Sequence, residues 1–157
     1  MDIGSGNKYP SNSLSNFAPH PFVIDGVQCN SMEGFLQSLK FKSPEMQEEV
    51  CKLVGYAAKK KGKNKNWYQS QILYWRGKEI KRNSNEYQML LDRAFEKLYD
   101  NSKFKKALIS SGDANLTHSI GKSNKSETVL TKSEFCSRLI KLRTYGKLIN
   151  PSSKKLL

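Results

Sequence analysis

Residues 31–41, SMEGFLQSLKF, constrain this chain more than any other stretch, because a helix is the element that accounts for their pattern. Met32, Phe35, Leu36 and Leu39 fall at i, i+3, i+4 and i+7 and make one apolar stripe. Asn30 or Ser31 can cap the first turn, since either side chain can accept an orphan amide hydrogen there. Glu33, Gln37 and Lys40 fall on another face, so a carboxylate, an amide and an amine stand in a row. Glu33 and Lys40 are two turns apart, too far for a simple i,i+4 ion pair. A pocket closing over this face would meet all three. An ordinary solvated helix face has the same spacing, so the choice rests on the residues upstream.

Upstream, Phe22-Val23-Ile24 and Val27-Gln28-Cys29 flank Asp25-Gly26, a strong short hairpin signal. Before it come Ser15-Asn16-Phe17 and a short link with Pro19 and Pro21. Together with the helix, this order resembles the signature of the NADAR family, the YbiA-like proteins. That signature runs S-N-F, a Pro-containing link, an apolar strand, D-G, then S-x-E, Q and K-F. Its elements here are Ser15-Asn16-Phe17, Pro19 to Phe22, Asp25-Gly26, Ser31-Met32-Glu33, Gln37 and Lys40-Phe41. The resemblance continues more loosely to about Arg143. It departs in the link at Leu116-Thr117-His118-Ser119-Ile120-Gly121, where many members carry an acidic residue and W-G-x-G. His118 is either incidental there or a replacement for one of those groups. The resemblance implies a helix-rich α+β single domain, and cleavage of N-glycosidic bonds of ADP-ribose or related ribosyl amines.

The rest of the chain fits that class. A chain of 157 residues buries roughly 68–70% of its unfolded surface, enough for one core. Ser43-Pro44 opens a helix with Met46, Val50, Leu53, Val54 and Ala57 as apolar positions, ending in the run from Lys59 to Lys63. Residues 72–75 and 78–80 read as a second hairpin across Arg76-Gly77. Ser84 or Asn85 caps a long helix with Tyr87, Leu90, Leu91, Ala94 and Leu98 on one stripe, and Asn101 or Ser102 caps a shorter one. Thr131 and Glu134 form a T-x-x-E capping box for the last helix. The domain is expected over residues 14–143, between a loose polar lead-in at 1–13 and a basic tail at 144–157.

Charge is divided unevenly. Residues 1–50 carry three basic and six acidic side chains, and residues 51–157 carry 24 basic and eight acidic, for a net charge of +13. The basic excess lies outside the signature and suits either a polyanionic partner or a solubilising surface. Lys60, Lys63 and Lys81 are the candidate nucleic-acid contacts, with Trp67, Tyr68, Tyr74 and Trp75 interleaved among the cations as stacking platforms. Three widely spaced cysteines argue against a disulfide framework and for a reducing cytoplasm. No apolar run approaches a membrane span. His20, between two prolines, reads as structural, and neither histidine has a partner at ligand spacing, so no metal is expected. No P-loop, G-x-G-x-x-G or zinc-ribbon pattern is present, and no cofactor is expected.

A glycosylamine bond breaks through an oxocarbenium-like state or through ring opening to an imine. The first route needs a carboxylate near C1 and an acid for the leaving nitrogen. The second can use a lysine that captures the opened sugar as a Schiff base. Glu33 as proton carrier and Lys40 as nucleophile supply both groups. Asn16 and Gln37 are expected to bind ribose hydroxyls, and Phe17 or Trp75 to stack on a base; Ser31, His118 and Gly121 complete the expected substrate contacts. The expected substrate is an ADP-ribosylated guanine base in nucleic acid. Phosphoribosyl-amine metabolites, and a non-catalytic module binding ADP-ribose or an NAD derivative, are the alternatives.

Overall fold

The computed structural model describes residues 1–149. In chain order the elements are α1 (Ser11–Leu14), β1 (Phe22–Ile24), β2 (Val27–Cys29), α2 (Met32–Ser38), α3 (Pro44–Cys51), α4 (Gly55–Gly62), α5 (Trp67–Ser70), β3 (Ile72–Trp75), β4 (Lys78–Lys81), α6 (Asn85–Tyr99), α7 (Ser102–Ser110) and α8 (Lys132–Tyr145). β1 pairs with β2 and β3 with β4, each pair a separate antiparallel hairpin. The architecture is the helix-rich α+β domain that the sequence predicts. Both hairpin turns have two successive residues at positive φ, Asp25 and Gly26 in one and Arg76 and Gly77 in the other. That is the turn whose twist matches the flanking strands.

α2 lies at the centre. Met32, Phe35, Leu36 and Leu39 are all buried. Ser31 is the cap: its Oγ accepts the Gly34 amide at 3.0 Å and donates to the Leu53 carbonyl at 2.9 Å. Asn30 instead donates its side-chain amide to the Lys52 carbonyl. These contacts explain a difference from the sequence reading. The helix predicted from Ser43 through the lysine run is broken between α3 and α4. The carbonyls at the end of α3 turn toward the start of α2, and Gly34 packs directly on them. A Cβ at Gly34 would lie 2.6 Å from the Leu53 oxygen and 2.9 Å from that of Cys51. Met46, expected on the apolar face, is consequently exposed, while Val50 is buried.

The second hairpin docks against the end of α2. Tyr74 N donates to the Leu39 carbonyl at 2.8 Å. Gln47 of α3 ties the junction, donating Nε2 to the Ser38 and Tyr74 carbonyls and accepting the Arg76 amide. Phe35 meets Trp75 edge-on at 5.1 Å, and Trp75 Nε1 donates to Asp25 in the first turn.

Residues 1–13, expected to be loose, are tied down. Ile3 is fully buried, its amide donates to the Thr117 carbonyl at 2.8 Å, and α1 forms within this segment. An apolar side chain three residues into a polar stretch is weak as a pattern, yet it seals one end of the core. The link before α8 is also fixed from beneath. Fully buried Arg82 donates Nε to the Thr128 carbonyl, and Tyr87 Oη donates to the Val129 carbonyl at 2.6 Å. α8 starts with the predicted capping box. After it, the Leu148 and Ile149 amides donate to Glu96, so the first part of the predicted loose tail is held. Residues 150–157, the rest of that tail, lie outside the described residues.

Candidate active site

The polar face of α2 opens into a cavity of about 400 Å³. Glu33, Gln37 and Lys40 line one wall, and Asn16 adjoins them, its carbonyl accepting the Glu33 amide at 3.0 Å. The opposite walls come from α4 and the loop after it (Lys59, Lys63, Lys65), from α5 (Trp67, Tyr68), and from the link before α8. That link contributes Gly121, Lys122 and Glu127 together with the segment held by Arg82 and Tyr87.

Gln37 Nε2 donates to Glu33 Oε1 at 2.8 Å. That bond turns Gln37 Oε1 toward Gly62, where a Cβ would come within 2.0 Å of it. Hydrogen at this position of α4 is what lets the amide fit. Lys40 Nζ reaches the Gly62 carbonyl at 3.4 Å. Burial pushes the Glu33 carboxyl above its ordinary range, against the pull of Gln37, Lys40 and Lys59. Burial also lowers the Lys40 ammonium; Glu33 opposes this, and Lys122 and Lys59 add to it. Both groups are thereby biased toward their neutral forms, as a proton carrier and a nucleophilic amine require.

Two buried acceptors on residues that line this cavity, Asn16 Oδ1 and Gln37 Oε1, have no hydrogen-bond partner among the described residues. An unsatisfied buried acceptor is costly and uncommon. Gln37 Oε1 is packed against Gly62, so Asn16 Oδ1 is the acceptor that a ligand hydroxyl or amine would satisfy. Five lysines line the same cavity against two carboxylates, which suits an anionic ligand. Among the described residues no three His, Cys, Asp or Glu side chains are grouped to hold a metal ion.

Of the residues expected to contact substrate, Asn16, Gln37 and Gly121 line this cavity with Glu33 and Lys40. Ser31 does not, being fully buried and used as the cap of α2. Trp75 is buried on Phe35 with its indole N–H committed to Asp25. Phe17 lines a separate cleft with Tyr9 and His20. His118 stands behind Gly121, its Nδ1–H donating to the Ile3 carbonyl at 2.9 Å and its ring edge-on to Phe135. It lies outside the cavity lining, although its charge would be felt at Glu33. Lys63 is at the cavity; Lys60 and Lys81 are exposed and line none of the cavities described. The aromatic rings in the site are Trp67 and Tyr68, which the sequence marks only as members of a mixed cationic and aromatic run. Lys59, Lys122 and Glu127 have no local signal that would have selected them.

A larger groove of about 630 Å³ lies between the second hairpin and α6, but its charges are already paired. Asp25 meets Arg93 at 2.7 Å and Lys78 meets Glu86 at 3.1 Å. The smaller cavity, with lysines that are unpaired among the described residues and the unsatisfied Asn16 acceptor, is the better site.

The chain matches the family described as Bacteriophage protein GP30.3 over residues 8–144. It belongs to that family. A similar relative is an uncharacterized 17.1 kDa protein in the Gp30–rIII intergenic region of Enterobacteria phage T4. The two are 39% identical over 146 residues, covering 91% of this chain and 96% of that one. Among solved structures, this GP30.3 family member shares its fold with E. coli YbiA, determined by NMR. The TM-score is 0.60 at 17% identity, covering 98% of this chain and 84% of that one. The YbiA-like fold expected from the signature is therefore present. Among the described residues, no helix is long and apolar enough to cross a membrane.

Proposed function

We propose that this protein is an N-glycosidase that removes ADP-ribose from guanine bases in nucleic acid. One observation carries the reading: Glu33 and Lys40, both biased toward neutrality, share a lysine-lined cavity with Asn16, whose buried Oδ1 has no partner among the described residues. The lysines match a diphosphate, the Asn16 acceptor matches a ribose hydroxyl, and Trp67 and Tyr68 offer faces for a base. The resemblance of residues 15–41 to the NADAR signature supports the choice of reaction, and the likeness to YbiA supports the fold.

In the proposed sequence, Glu33 gives its proton to the ribose ring oxygen as the guanine exocyclic nitrogen forms a double bond to C1, opening the ring. The Lys40 amine adds to C1. Its proton returns to Glu33 and passes to the leaving guanine nitrogen, whose departure leaves a C1–Lys40 imine. Water then adds to the imine, and loss of Lys40 regenerates the free sugar and the amine.

The test is to offer the full chain an oligonucleotide carrying ADP-ribosylated guanine, the corresponding free nucleotide, and a phosphoribosyl amine. Release of ADP-ribose is followed by mass spectrometry. Repeated turnover on the guanine adducts is the expected result. Turnover of the phosphoribosyl amine alone would move the assignment to metabolite hydrolysis. Tight ADP-ribose binding with no product from any substrate would make the protein a binding module.

A further inference from the structure

A second cavity, of about 230 Å³, lies directly behind the first. Lys40, Lys65 and Trp67 line both, so these three side chains form a partition between the two spaces. The far side is completed by Lys42, Ser70 and Tyr74, among others. Its location follows from the fold. The Tyr74 amide is bonded to the Leu39 carbonyl, which lays the outward face of β3 beside the residues following α2. Leu73 and Trp75 point into the core, and Tyr74 turns the other way, half-exposed. Lys65 Nζ is held 4.7 Å above the Phe41 ring, which keeps its ammonium at the partition.

We propose that this second cavity seats the nucleotide next to the modified guanine, so that a single strand leaves the active site across Lys42 and Tyr74. The inference rests on the glycosidase reading above and adds where the polymer runs. Three properties support it. The space is smaller than a self-sufficient small-molecule site, which spans roughly 300–1,000 Å³, so it suits one part of a larger ligand. Beside the Lys40 amine, the charged groups lining it are the Lys42 and Lys65 ammonium groups. A phosphate between two nucleosides matches that charge, and Tyr74 presents a ring for the neighbouring base. Continuity through the shared partition places this nucleotide beside the bond that Lys40 attacks. The path lies on the α2–β3 side of the molecule, where Lys81 pairs across from Ile72 at the edge of the cavity, and does not use exposed Lys60.

The experiment measures binding and turnover separately on the full chain. Fluorescence anisotropy of an unmodified single-stranded oligonucleotide is recorded over a salt series for wild type, Lys42→Glu, Tyr74→Ala and Tyr74→Phe. Lys60→Glu serves as the charge-matched comparison. Lys42→Glu should weaken binding and lower the slope of log K against log salt by about 0.7, the share of one single-strand phosphate contact. Tyr74→Ala should weaken binding roughly 5- to 100-fold, with Tyr74→Phe restoring it because the ring is retained. An unchanged slope in Lys42→Glu, or an equal loss in Lys60→Glu, would overturn the path. So would a Tyr74→Phe variant as weak as Tyr74→Ala. In turnover, Lys42→Glu should lower kcat/KM on the modified oligonucleotide more than on the modified mononucleotide; equal loss on both also counts against the path. Absence of ADP-ribose release from both substrates in wild type would overturn the glycosidase reading, whereas the salt slopes judge the strand path independently.

Discussion

Gln37 Nε2 donates to Glu33 Oε1 at 2.8 Å, and the same amide turns its unsatisfied oxygen onto Gly62 of α4. The proposed proton carrier is thus oriented by a neighbour one turn along α2, and that neighbour is itself seated by a glycine on a different helix.

Gly62→Ala should therefore separate function from stability. The new Cβ clashes chiefly with the far end of the Gln37 side chain, which can swing away, and touches Gln37 Cβ tightly at 3.3 Å. Thermal unfolding should shift by no more than about 2 °C. Turnover should fall roughly 10- to 100-fold, the usual consequence of misplacing a positioned group by an ångström. Gly34→Ala is the contrast, because there the Cβ meets backbone oxygens that cannot yield. Urea denaturation should show a loss of about 1–3 kcal/mol. A Gly62→Ala variant with full activity would remove Gln37 from the proposed machinery.

The Schiff-base route can be separated from direct oxocarbenium cleavage. Borohydride added during turnover should leave an ADP-ribose adduct on Lys40. The cavity holds four further amines, on Lys59, Lys63, Lys65 and Lys122, so the adduct must be located by peptide mapping. Lys40→Ala should abolish it. Lys40→Arg should also fail, because a guanidinium stays protonated. Glu33→Gln should slow turnover by roughly 10²–10⁴-fold while binding survives. With no adduct and a mild Lys40→Ala effect, Glu33 would be left as the sole catalytic group.

The pH profile of kcat should respond to the neighbours of Lys40 in opposite directions. Activity needs the neutral amine, so its rising limb reports Lys40 deprotonation. Burial lowers that group most, Glu33 holds it up, and Lys122 and Lys59 push it down. Glu33→Gln removes the opposing charge and should move the residual limb to lower pH. Lys122→Ala removes a lowering charge and should move the limb to higher pH. Shifts of the same sign in both variants would show that the limb belongs to another group.

Acid stability should depend on the pair behind the cavity wall. Arg82 Nη2 donates to Glu134 Oε1 at 2.6 Å, with Arg82 fully buried. Burial alone pushes the Glu134 carboxyl up, but hydrogen bonds from Arg82, Gln88 and Thr131 outweigh it and hold the group at about 2, against an ordinary 4.5. The folded carboxyl is therefore more acidic than the unfolded one. Its contribution, about 3 kcal/mol from the size of that shift, is complete above pH 4.5. It should be lost as pH falls from there toward 2. Urea midpoints measured across this window should drop in the wild type. Glu134→Gln should flatten that part of the dependence and lower stability at neutral pH, since it leaves Arg82 buried without its counter-charge.

Much of this protein follows from short-range rules. Asp25-Gly26 and Arg76-Gly77 specify tight hairpin turns, Ser31, Ser84 and Asn101 cap the helices they precede, and Thr131 with Glu134 builds a capping box. The spacing of Met32, Phe35, Leu36 and Leu39 selects the buried face of α2, which puts Glu33, Gln37 and Lys40 together on the other. These signals are readable because they act within a turn or two of chain. What the polar face meets is a different matter. Lys59, Trp67, Lys122 and Glu127 arrive from three other segments, and the link that brings two of them is fixed by Arg82 and Glu134, 52 residues apart. Trp75 carries no mark in the sequence showing that Asp25, 50 residues away, takes its indole N–H and removes it from the site. The break before α4 is marked in the sequence only by Gly55, which takes a positive φ there, and its place also depends on α3 carbonyls turning to the start of α2. Periodicity and capping are properties of neighbouring dihedrals. The composition of a cavity depends on which distant groups are buried against one another, and that was decided only when the core closed.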